Sequence, residues 1–175
     1  MTASKFLCTG INSILDGGFD HHDQMKANLR PKMQALNANL KRLVSQLKED
    51  GLWDNTVIYV TSEFARTITP NQNDGSDHAW AQNVMLMGGN VNGGQILGKY
   101  PNDITPTSRL DDGSGRGRFI PTTSNDAIWN SIIQWYGVTE EADLDTCLPN
   151  RYNTVNPVEG EMDSPLFTLE DMFES

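Results

Sequence analysis

Cysteine is scarce in this chain and poorly placed for cross-linking. Cys8 and Cys147 are the only two, they lie far apart, and neither belongs to a CxxC pattern. That excludes a zinc ribbon and a disulfide framework, although the two could still pair if the ends of the chain meet. No apolar run approaches the roughly 20 residues that span a bilayer, so no membrane partner is expected. The opening Met1-Thr-Ala-Ser-Lys-Phe-Leu-Cys8 holds one lysine and a very short apolar stretch, which falls short of a secretory signal. Basic charge is short as well: 13 Lys and Arg stand against 23 Asp and Glu. The deficit is uneven, because ten of the acidic residues lie between 139 and 175 and face Arg151 alone. An acidic end of this kind argues against a nucleic-acid partner. It reads as a solvated tail, here residues 151–175. Histidine is rarest of the chemically useful residues, with three in all, and they fall in two clusters, His21-His22 and His78.

What is present suits one globular domain over 1–150: 175 residues can bury a single respectable core. From Gln24 to Asp50 the apolar positions Met25, Leu29, Met33, Leu36, Leu40, Leu43 and Leu47 recur at steps of four and three. That makes one stripe on a helix about 37 Å long. Pro31 either interrupts this helix or marks its first turn, with a start near Leu29. Thr56-Val-Ile-Tyr-Val-Thr61 reads as a buried strand and Val84-Met-Leu-Met87 as a second, short one. Between them Thr67–Gln82 is polar and too long for a simple turn, which marks it as a working loop or a disordered one. Residues 99–124 look irregular. Ser124 is a good N-cap for a helix carrying Ile128, Trp129, Ile132 and Ile133, closed by Gly137. Helix, strand, loop, strand, helix suits an α/β sheet, yet two strands cannot make a stable sheet alone. Something is missing or is supplied by a partner.

Three segments carry chemistry. Asp20-His21-His22 precedes the long helix, Glu63-Phe-Ala-Arg66 follows the apolar strand, and Asp77-His78 comes eleven residues after Arg66. Alternate residues of an extended segment point the same way, so Asp20 and His22 could present two ligands together. Glu63 could add a carboxylate from the strand end, and Asp77 and His78 could close the set from the loop. Such carboxylate and imidazole ligands suit zinc, manganese or iron, while a set without thiols disfavours soft-metal sites. Arg66 is placed to hold an oxyanion in phosphoryl or sulfuryl transfer, the catalytic role assigned to it here. Each piece also has a plainer reading: Asp77-His78 as a surface loop, Glu63 with Arg66 as an ion pair.

Gly18-Phe-Asp-His-His22, Thr61-Ser-Glu-Phe-Ala-Arg66, Gly75-Ser-Asp-His78 and Gly88-Gly-Asn-Val-Asn-Gly-Gly94 occur in the order seen in the carboxyl half of a bacterial family, domain of unknown function 1501, which the chain resembles. Its patterns look like GWDTH, SEFGR, GTDHG and GGxVxGG, and Pro121-Thr-Thr-Ser124, Gly137-Val138 and Leu148-Pro149 resemble its closing segment. Phe19, Ala65 and Ala79 depart from it, the last two replacing glycines. The family is similar to the alkaline phosphatase and sulfatase superfamily. The resemblance implies a partial α/β sandwich, a sheet flanked by helices, whose amino-terminal half is absent. It implies metal ligation by Asp20, His22 and His78, a second-site carboxylate at Glu63, and a motif position without a settled role at Asp77. The cofactor implied is a divalent metal ion, zinc first, with manganese, calcium or iron as alternatives. The expected function is a metal-dependent hydrolase-like domain acting on a small phosphate or sulfate ester, alone or with a complementary chain that supplies the missing half. Two alternatives stand beside it: a catalytically inert remnant that binds metal or a partner, and an interaction module built on the long helix. A periplasmic or extracellular place follows only by analogy with the family.

Overall fold

The computed structural model describes residues 17–152 and 166–174. Cys8 lies outside the described residues, and so does its pairing with Cys147, as do Glu159, Glu161 and Asp163. The long helix α1 spans Met25–Glu49, and Gly51, at φ 68°, ends it in the left-handed conformation that glycine adopts without penalty. Its apolar positions are the half-buried ones, but no residue of α1 is fully buried, and Met33 is half exposed. Pro31 stands inside the helix instead of in its first turn. An external anchor explains the earlier start. Gln24 takes a left-handed conformation with no side-chain cap, while its amide donates to the Asn73 carbonyl and that of Met25 to the Asp74 carbonyl, both at 2.9 Å. Those contacts begin the helix at Met25 and offset the amide that proline lacks.

Both expected strands form, shifted by about a residue. Strand β1, Val57–Val60, pairs antiparallel with β4, Met85–Gly88, with Tyr59 opposite Leu86. Between them two shorter strands, β2 at Ala65–Arg66 and β3 at His78–Ala79, form a second antiparallel pair. Where the sequence suggested one sheet, the described residues form two separate two-stranded sheets. The polar stretch 67–77 is the long loop of the β2–β3 hairpin. The fold is mixed α/β, with four α-helices and these small sheets among the described residues.

Helix α2, Asn125–Trp135, is capped as its sequence suggests: the Ser124 hydroxyl accepts from the Ala127 amide at 3.1 Å. Gly137 at φ 102° closes it. Ala127, Ile128 and Ile132 on this helix pack over the β1–β4 sheet, where Val57, Tyr59 and Leu86 meet them. Two short helices follow, α3 at Glu141–Cys147 and α4 at Leu169–Met172.

The carboxyl-terminal segment departs from its sequence reading. Its charge predicts a solvated tail, yet Phe167, Met172 and Phe173 are buried in the same core as α2. Phe173 stacks on Trp135 and forms a β-bridge with Val91. The charges of 166–174, Glu170, Asp171 and Glu174, are exposed, and Asp171 completes a capping box with Thr168. Net charge misleads here because three apolar side chains find a core to bury in, which outweighs it. Arg151 is also interior: it is 3% exposed and donates to Asn130, Asp145 and Glu141.

Phe173→Ala is expected to destabilise the fold by about 3–5 kcal/mol in denaturant unfolding. Glu170→Ala, on the exposed side of α4, should change it by less than about 0.5 kcal/mol. Equal small effects would show that the segment does not belong to the core.

Candidate metal centre

The second hairpin and the strand-like segment before α1 are joined main chain to main chain. The Ser76 amide donates to the His21 carbonyl at 3.2 Å, and Asp23 and Asp74 form an isolated bridge. Gly75 makes this approach feasible, since a Cβ on it would fall on the His22 carbonyl and the Asp23 amide nitrogen. Asn71 organises the hairpin loop. Its side-chain oxygen accepts from the amides of Asn73 and Gly75, both at 3.0 Å, and its amide nitrogen donates to the His22 carbonyl at 2.8 Å.

Arg66 ties the pieces together. Opposite His78 in the β2–β3 register, it donates from Nε to Ser76 Oγ at 2.9 Å and from Nη2 to the His21 carbonyl at 2.8 Å and to the Ser76 carbonyl. From Nη1 it donates to Asp20 Oδ1. Ser76 itself is buried. The guanidinium therefore acts on the protein's own oxygens.

Asp20 and His22, two residues apart, present their tips to one point, and His78 reaches the same point from β3. His22 Nε2 and His78 Nε2 each lie 3.0 Å from Asp20 Oδ1 and 3.2 Å from each other. This near-equilateral triangle of ligand atoms is exposed on one side, each side chain being about half accessible. Phe64 stacks on the His78 ring at 3.8 Å, which fixes its plane. His21, between the two ligand candidates, faces elsewhere, with its Nε2 buried.

Asp77 stands behind the triangle. Its Oδ1 lies 3.1 Å from His22 Nδ1 and accepts from Asn71 Nδ2 at 3.2 Å, while Oδ2 accepts from Arg116 Nη2 at 2.8 Å. The Asn71 amide and the His22 ring, with Arg116 beyond them, hold its carboxyl down to about 2 against an opposing desolvation. Asp20 is also lowered: burial pushes it up, but bonds from Arg66 and His78 and the nearby imidazoles outweigh that. Glu63 is exposed, lies outside the triangle, and makes no hydrogen bond or ion pair among the described residues.

Of the six residues singled out by sequence, the structure gathers Asp20, His22 and His78 at one point. It sets Arg66 and Asp77 around them and leaves Glu63 apart. Asn71, Ser76 and Arg116 were not singled out. Asn71 and Ser76 sit in a loop rich in Asn, Asp and Gly, where polar side chains that bond to the backbone are expected, and that composition was the available signal.

A family described as a protein of unknown function, DUF1501, matches residues 9–106. The chain belongs to this family. The DUF1501 match takes in all six of those residues and ends before the segment from Pro121. No curated protein and no solved structure matches the chain.

Arg66→Ala removes several charge-assisted bonds at once and is expected to cost about 2–3 kcal/mol. It should also speed hydrogen exchange at the Ser76 amide, which would otherwise stay paired to His21; unchanged exchange there would show that Arg66 does not hold the segment. The Asp77 carboxyl should titrate near 2, against an ordinary value of about 3.9. Because the folded value is the lower one, its contribution to stability is complete above the ordinary value and fades as pH falls towards 2. Carbon-13 titration of that carboxyl checks it, and a midpoint near the ordinary value would contradict the geometry.

Proposed function

We propose that Asp20, His22 and His78 bind a divalent cation, zinc first. On this reading the chain is a metal-dependent hydrolase-like domain of the phosphatase and sulfatase type, acting on a phosphate or sulfate ester. The triangle of 3.0, 3.0 and 3.2 Å is the observation that carries this. Ligands at about 2.0–2.1 Å around a tetrahedral ion stand roughly 3.3 Å apart, close to these edges. The Asp77 carboxylate can only accept, so with a cation at the centre His22 would keep its proton on Nδ1 and turn the Nε2 lone pair towards the ion. Three ligand atoms this close repel one another unless a cation or a shared proton lies among them.

Two imidazoles and one carboxylate with an open side match the donor set of catalytic zinc sites better than the closed set of structural ones. Bound there, the ion would polarise a phosphoryl or sulfuryl oxygen and offset charge that develops in the transition state. The residues do the rest. Asp20 is balanced by Arg66 and Asp77 by Arg116, so this cluster brings no net negative charge to repel an anionic ester. The exposed side of the triangle is where such a substrate would enter.

The finer fold proposed is the carboxyl half of an alkaline-phosphatase-like sandwich. A two-stranded β1–β4 sheet and a long helix without one buried residue support it, since both suit elements that normally pack against more structure. A second reading, an inert metal- or partner-binding remnant, is favoured by specific observations. The Arg66 donors are spent on the protein, and Glu63 stands apart.

Metal analysis of untagged protein tests the proposal, with about one zinc ion per chain expected and lost in Asp20→Ala and His78→Ala. Affinity should fall as pH drops, because protons compete for the imidazoles. Hydrolysis of an aryl phosphate or sulfate that disappears in the same variants supports the hydrolase. Metal without turnover supports the remnant, and absence of metal under zinc-replete conditions overturns both.

A further inference from the structure

The residues behind His22 form a chain that reaches a loop remote in sequence. Arg116 holds Asp77 Oδ2, and Asp77 Oδ1 meets His22 Nδ1. Arg116 is in turn presented by Asp111-Asp-Gly-Ser-Gly-Arg-Gly-Arg118, a loop built around a carboxylate. Asp111 Oδ1 accepts from the amides of Gly113 at 3.0 Å and Gly115 at 2.7 Å. Its Oδ2 accepts from those of Gly117 at 2.7 Å and Arg118 at 3.2 Å. The three glycines have φ of 90°, 67° and 71°, and this alternation turns every second N–H group towards Asp111, while the amides of Ser114 and Arg116 go to Asp112 Oδ1 and Ser114 Oγ. Buried Leu110 roots one end of the loop, and the Thr69 amide bonds the Arg116 carbonyl at 3.1 Å, which fixes the arginine beside the β2–β3 hairpin.

The chemistry of the chain is directional. A carboxylate accepts and a guanidinium donates, so with Arg116 on one oxygen the other is left to accept from His22 Nδ1 and from the Asn71 amide. We propose that Arg116, presented by the Asp111-centred loop, is a positioning residue for the centre: it holds Asp77 so that the His22 proton stays on Nδ1 and the Nε2 lone pair faces Asp20 and His78. Its effect on metal affinity rests on the metal reading above, whereas the tautomer is read in the protein without metal. There Asp20 Oδ1, 3.0 Å from His22 Nε2, is the competing acceptor, and it already takes Arg66 Nη1 and lies 3.0 Å from His78 Nε2. Outer partners of ligand imidazoles change affinity by roughly 10–100-fold when removed.

Nitrogen-15 spectra of the histidine rings in metal-free protein, at mildly alkaline pH, read the tautomer directly. The native protein should show His22 protonated at Nδ1. Arg116→Met should shift the ring towards the Nε2-protonated form and weaken zinc binding about tenfold in a chelator competition. Arg116→Lys, which keeps one charged donor, should recover most of both. Asp111→Asn, which frees the loop without touching Arg116, should move His22 the same way but less far. His21 serves as the control, because a plain loss of folding would move its ring as well.

Ring shifts at His22 that are indifferent to Arg116→Met, or an Nε2-protonated ring in the native protein, would overturn the inference. So would a change that spreads to His21. If the native protein binds no zinc while the tautomer still follows Arg116, the positioning role stands and the metal reading falls. If zinc binds and Arg116→Met changes neither affinity nor ring, the reverse holds.

Discussion

The docking of the backbone at 21–25 onto the backbone at 73–76 is the constraint on which the rest of this site depends. It brings Asp20 and His22 to a hairpin more than 40 residues away, and it starts α1 by supplying carbonyls to amides that would otherwise be unpaired. Arg66 adds charge to that seam by bonding both sides of it at once. The distances among the three candidate ligand atoms follow from this seam, since the ligand side chains themselves are half exposed and have little packing to hold them. Phe64 supplies the exception, as a flat wall against one imidazole.

Much of the arrangement was legible in the sequence because residue type and local spacing carry it. The apolar repeat marks α1, Ser124 marks the start of α2, and the confinement of histidine to two clusters points to a shared site. What escaped the sequence depends on contacts between distant segments. The start of α1 is set by carbonyls from residues 73 and 74, not by a local cap, so Pro31 was misleading. Phe167, Met172 and Phe173 looked like incidental apolar residues in an acidic stretch, and only the surface offered by α2 and β1 makes a core of them. Arg116 sits in a segment that reads as irregular, and nothing in its neighbours forecasts a partner 39 residues upstream.

Membership of DUF1501 covers the site but brings no activity with it, so the chemistry has to be read from the atoms. Those atoms divide into two kinds. Asp20, His22 and His78 bring one ligand atom each to a point on the surface, and Arg66, Asn71, Asp77 and Arg116 bond to them or to one another around that point. Meanwhile α1 has no buried residue and the β1–β4 sheet has two strands.

Gly75 brings a further consequence. Its contact with the His22 carbonyl is made by main-chain atoms, which every residue type shares. The side chain at 23 can therefore drift through mutation while the alignment of the two strands persists, whereas Asp74, at φ 56°, holds a left-handed conformation that Asp, Asn and Gly tolerate best. A one-residue insertion between 20 and 24 is a different matter, because it would rotate Asp20 to the opposite side of its segment while every chemical group survived. Among relatives of this chain, gaps in that stretch would be a more telling mark of a lost site than substitutions around it.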